Sequence, residues 1–90
     1  MVEIDWSDVQ SETQMHRVLA TKLDFPGWYG NNADALWDAI TGLVEMPHTL
    51  RFLGWQDFSR RLPELAQGLV NMLDEMAKQF PVSASTVVYD

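Results

Sequence analysis

The chain has 90 residues, a net charge of −7 and no cysteine. That length suits a single domain, residues 1–90, with one modest core, and the 47% hydrophobic content is that of a folded chain rather than a disordered one. The charge argues against nucleic acid as a direct ligand, which needs clustered Lys and Arg, and the missing cysteines exclude a disulfide framework or a thiolate metal site.

Residues 2–6, VEIDW, alternate apolar and acidic as a half-buried strand does. Ser11 and Gln14 then fit an S-x-x-Q capping box, and Met15, Val18, Leu19 and Leu23 follow at helical spacing up to Pro26 and Gly27. Residues 24–31 form a loop. Asn31 or Asn32 can cap the next helix, whose apolar stripe is Ala33, Leu36, Ile40, Leu43 and Val44, with Trp37 on its border. Its opposite face shows Asp34, Asp38, Thr41 and Glu45; Gly42 lies in its last turns and Pro47 closes it.

Residues 48–53 read as a second strand and 55–61 as a helical turn or two. Pro63 opens the clearest helix, 63–80, with Leu65, Leu69, Met72, Leu73, Met76 and Phe80 as its buried face. Gly68 inside it costs about 0.5–1 kcal/mol, and the sequence does not decide whether close packing against a neighbour is the reason. STVVY, 85–89, is a third strand. Helix separates each pair of successive strands, so the expected fold class is α/β: a three-stranded parallel sheet packed by helices.

The acid is not spread evenly. From Leu23 to Leu50 there is no Lys or Arg, while Asp24, Asp34, Asp38 and Glu45 all fall there. A surface serving solubility alone would interleave the signs. Asp34 and Asp38 lie one helical turn apart on one face, a like-charge pair that costs about 0.2–0.5 kcal/mol. Two carboxylates in similar exposed surroundings do not suit glycosidase-type acid–base work, which needs distinct environments across a cleft. NNADALWD does not match a calcium loop, the two His lack metal-ligand spacing, and Gly27, Gly30 and Gly42 are not followed by the Lys-Ser/Thr of a phosphate loop. No enzyme activity, cofactor or metal is therefore expected. His16 is expected at a helix border and His48 at a strand entrance. Protein binding suits the pattern best: Trp28 and Tyr29 precede the acidic helix in a Gly-flanked loop, free either to meet a partner or to close over the core.

The stretch YGNNADALWDAITG, 29–42, resembles the motif of the barstar family, intracellular inhibitors of secreted microbial ribonucleases, and the likeness extends over essentially the whole chain. The resemblance implies a barstar-like fold and a cytoplasmic immunity protein. Its acidic helix and preceding loop would block the basic active site of a ribonuclease or ribonuclease-like toxin. Asp34 and Asp38 match the family's acidic positions, with Asp38 standing where an RNA phosphate would sit. Trp28, usually Tyr in the family, would cover a catalytic residue of the enzyme. Thr41 and Gly42 match contact positions, and Glu75 on the last helix matches a further acid. The expected partner-binding set is Trp28, Tyr29, Asn32, Asp34, Trp37, Asp38, Thr41, Gly42, Leu43 and Glu75, on a chain that is a monomer when free, with no membrane span and no signal peptide.

Three positions depart from the best-known members: Leu43 stands where they carry Trp, Gln79 where they carry an acid, and Asn31 where they carry Glu. These departures leave open an alternative, a barstar-like module for a basic protein that is not a ribonuclease.

Overall fold

The computed structural model describes all of residues 1–90. In chain order it contains β1 (Val2–Asp5), α1 (Glu12–Leu23), α2 (Ala33–Asp38) continued by one wide π turn (Ala39–Leu43), β2 (Thr49–Leu53), α3 (Trp55–Arg61), α4 (Pro63–Gln79) and β3 (Thr86–Tyr89). The strands pair in parallel in the order β1-β2-β3, with Ile4 opposite Phe52 and Phe52 opposite Tyr89. This is the α/β fold expected from the helix-separated strands.

Right-handed crossovers taken in one direction across a parallel sheet place the connecting helices on one face. Burial along the strands agrees: Ile4, Leu50 and Phe52 are buried, while their neighbours Glu3, Asp5 and Arg51 are not. On the uncovered face Arg51 bridges the sheet, with its guanidinium 3.1 Å from Glu3 and bonded to Asp90.

The core gathers aromatic rings at one end of the sheet. Trp6 is fully buried, with ring centroids 5.2 Å from Phe52, 5.4 Å from Trp55 and 4.9 Å from Phe58. Such pairs contribute roughly 0.5–1.5 kcal/mol each beyond the area they bury. Arg61 holds this end closed. Its guanidinium donates to the carbonyls of Val9 at 2.6 Å and of Trp6 and Ser7 at 3.1 Å, and to Asp57 at 3.2 Å.

Helix ends follow the chemistry of their caps. Ser11 Oγ accepts from the Gln14 N–H at 3.2 Å, and the Gln14 side chain reaches back to the Gln10 N–H at 2.6 Å, one residue beyond the usual box. α1 stops at Leu23, before Pro26, because Asp24 turns left-handed at φ 57°. Asn32, not Asn31, caps α2: its Oδ1 accepts from the Ala35 N–H at 2.8 Å.

Three expectations need correction. The acidic helix is not regular α to its end, because at the π turn Val44 N–H bonds five residues back to Ala39. The wider turn rotates Leu43 off the Leu36–Ile40 stripe and leaves it 44% exposed. Phe80 is likewise exposed rather than core, since α4 ends at Gln79; Ala66 is buried in the stripe instead. His16 is fully buried rather than at a helix border. The reason for glycine at position 68, open in the sequence, is not close packing: a Cβ built there meets no atom within 4 Å.

Candidate partner-binding site

Asn32 sets the start of α2 with both ends of its amide: Oδ1 caps the helix, and Nδ2 donates to the Gly30 carbonyl at 3.2 Å. The cap fixes where Asp34 falls, in the first turn, a favourable place for an anion at a helix N-terminus. Asp38, one turn later, has no such support. α1, α3 and α4 each carry Lys or Arg in the last turn, but neither α2 nor the π turn that continues it does. A cation there would add about 0.3–1 kcal/mol. This helix therefore keeps its negative end uncompensated, on top of the Asp34–Asp38 repulsion.

Asp34 and Asp38 face α4 across an open groove of about 850 Å³, whose far wall carries Glu75 and Gln79 and whose near wall includes Trp37. No Lys or Arg lines it. The chain's ion pairs use Glu12, Glu3, Asp90 and Asp57, and none reaches Asp34, Asp38 or Glu75. Nor do the groove carboxylates converge tightly enough to hold a metal ion. Three anions thus share one solvent-filled channel with no internal counter-charge. Gln79 donates its amide to Glu75 at 2.7 Å, which orients that carboxylate without neutralising it. At the C-terminal end of the groove Phe80 lies 6.3 Å from Trp37, ring to ring.

The flanking residues divide into free and committed. Trp28 is 72% exposed, and Leu43 is exposed on the π turn. Gly42 is also exposed. Thr41 is half-buried and donates its hydroxyl to the Trp37 carbonyl at 2.6 Å, an additional bond where α geometry gives way to π. Tyr29 closes over the core and is not free: its ring packs 4.8 Å from Phe25, and its hydroxyl lies 2.6 Å from His16 Nδ1. Burial pushes the Tyr29 phenol up to about 12, and burial also lowers the His16 pKa against the opposing pull of Glu12. The Glu12 carboxylate facing Nε2 favours the tautomer with its proton there, which leaves Nδ1 as the acceptor and Tyr29 as the donor. The ring proton then sits on Nε2, 3.8 Å from Glu12.

The structure thus brings Asp34, Trp37, Asp38 and Glu75 together on one groove, with Trp28, Gly42 and Leu43 exposed nearby in sequence. Asn32, Tyr29 and Thr41 each make a side-chain hydrogen bond within the chain. Sequence reasoning missed His16, which anchors the Trp28 loop from beneath. Its only signal was helical phase, one residue after Met15 and three before Leu19. It also missed the Gln79–Glu75 bond, for which the i,i+4 spacing on a helix was the available sign.

Residues 1–88 match the family described as Barstar (barnase inhibitor). A Bacillus subtilis (strain 168) protein named "Putative ribonuclease inhibitor YrdF" is 36% identical over 76 residues, which span 84% of this chain and 84% of that protein.

Proposed function

Because this chain belongs to the barstar family of ribonuclease inhibitors, which are not enzymes, we propose that its acidic groove docks on the basic active site of a microbial ribonuclease or ribonuclease-like toxin. Asp38 takes the place of an RNA phosphate among the enzyme's Arg, Lys and His side chains. Asp34 and Glu75 hold cations to either side, and Trp28, Trp37, Thr41, Gly42 and Leu43 make the surrounding contacts. The free protein is a monomer that acts in the cytoplasm as an immunity protein. The observation that carries this reading is the cation-free groove with three carboxylates on its walls. Such a surface is unfavourable for the isolated chain and suited to a cationic guest. Complementary fields speed association, and salt screens them.

A second reading, a basic partner that is not a nuclease, is favoured by the groove and its surroundings. Gln79 supplies a neutral amide beside Glu75, and away from the groove lining Leu43 presents an exposed aliphatic surface on the π turn. One titration separates the two. The protein is added to barnase and to other basic microbial ribonucleases, and RNA cleavage is followed at low and high salt. Stoichiometric inhibition that weakens with salt supports the inhibitor reading. Full RNA cleavage in every mixture, with capture only of non-nuclease basic proteins, overturns it.

A further inference from the structure

Beside the acidic groove lies a smaller apolar pit of about 150 Å³, set between α1, the start of α2 and α4. Met15, Leu36, Leu65, Leu69 and Met72 line it together with the buried His16, and its charged lining residues are Glu12 and Glu64, with no Lys or Arg. The pit and the groove share Ala33, Gly68 and Met72, so two of the three residues at their junction have little or no side chain. Gly68 has no conformational reason to be glycine: its φ is not positive, it lies inside α4, and an added Cβ would enter open space. Ala there would favour the helix. What glycine does keep is a bare stretch of helix backbone on the path from the carboxylates to the pit.

We propose that Gly68 is an interface residue, and that the pit receives one apolar or aromatic side chain of the same basic ribonuclease, flanked by a cation that faces Glu12 and Glu64. The inference rests on the inhibitor reading and extends its contact surface from the groove across Gly68. The pit's volume is about that of an apolar cavity that accepts benzene. Charge selects the owner of that ring: the edge of the pit is acidic, like the groove it joins, so the side chain arrives on a basic surface.

The test compares wild type, Gly68→Ala, Gly68→Leu and Asp38→Ala as inhibitors of barnase at low and high salt, with thermal unfolding of each free protein. Gly68→Ala raises Tm by about 2–8 °C, the size expected for removing a mid-helix glycine from a chain of this length. Gly68→Leu projects into the junction and weakens inhibition tenfold or more. Its loss persists at high salt because it is steric and apolar, whereas the loss from Asp38→Ala shrinks. Gly68→Ala and Gly68→Leu proteins that fold and inhibit like wild type overturn this inference and leave the inhibitor reading standing. Wild type that inhibits neither barnase nor any other basic microbial ribonuclease overturns both. A wild-type dimer that dissociates on Gly68→Leu also overturns it, by assigning the pit to a second copy of the chain.

Discussion

Tyr29 donates its phenolic hydrogen to His16 Nδ1 across 2.6 Å and so ties the loop before the acidic helix to the middle of α1. Trp28, the residue just before Tyr29, stays 72% exposed on the loop that this bond secures. The bond joins a loop to a helix. It gives the exposed indole a fixed base, which lowers the entropy lost when a partner orders it.

Removing the donor should therefore loosen the loop more than the fold. Tyr29→Phe keeps the ring on Phe25 and leaves the buried His16 nitrogen without its partner, a cost of about 1–3 kcal/mol. Urea unfolding measures that cost, and hydrogen exchange across residues 24–31 should rise while that of β2 stays unchanged.

The same pair sets a pH dependence. His16 binds its proton less readily when folded, because of burial. As pH falls below about 6.5 the unfolded chain takes up a proton that the folded chain refuses, and stability falls until the depressed folded pKa is passed. At the alkaline end Tyr29 holds its proton to about 12 when folded. An unfolded tyrosine releases it near 10, so stability declines from about pH 10 to about pH 12. Tm measured against pH should show both limbs, and Tyr29→Phe should reduce the alkaline one.

Asp38→Ala separates binding from folding. In the free protein the change relieves repulsion with Asp34 and the adverse helix end, so stability should hold or rise by a few tenths of a kcal/mol. Inhibition of the cognate ribonuclease should weaken by about 2–5 kcal/mol, the general range for one partner of a buried charge pair, whose measured examples include barnase–barstar itself. Calorimetric titration beside a thermal melt reads both. A large drop in Tm would show instead that Asp38 supports the fold.

Arg61 and Arg60 are neighbours with different duties. Arg61 spans three backbone carbonyls and Asp57 with its planar fork, which an ammonium group cannot reproduce. Arg61→Lys should destabilise by about 1–3 kcal/mol through carbonyls left without donors. Arg60 is exposed and makes no hydrogen bond to a side chain or ion pair, so Arg60→Lys should change stability by less than about 0.5 kcal/mol. Paired denaturant melts make the comparison.

Gly54 is the glycine that the fold itself requires. It sits at φ 69°, and a Cβ there would come within 2.7 Å of Ser7 Oγ and 3.3 Å of the Ser7 nitrogen. Ser7 cannot yield freely, since its hydroxyl and its N–H both bond to Asp5. Gly54→Ala should cost about 1–3 kcal/mol in denaturant unfolding, opposite in sign to the same substitution at Gly68.

The linear chain determined the order of elements, the parallel sheet, the Ser11 and Pro63 helix starts and the cation-free stretch holding Asp34 and Asp38. Each depends on neighbours a few residues apart, through caps, periodicity and the need for a helix between parallel strands. The family motif was legible for the same reason, because Y-G-N-N-A-D-A-L-W-D-A-I-T-G is one continuous segment. Tertiary structure alone decided which face those carboxylates meet. Glu75 joins them only because α4 packs beside α2, 37 residues after Asp38 in the chain. It also decided that His16 is buried, because Tyr29 supplies a donor across the interior. Leu43 points outward because a π turn of one extra residue changes the helical phase, and the emptiness around Gly68 depends on how closely three helices meet. Sequence periodicity carries phase along one element; the gaps and partners between elements are set by packing, which satisfies all of them at once.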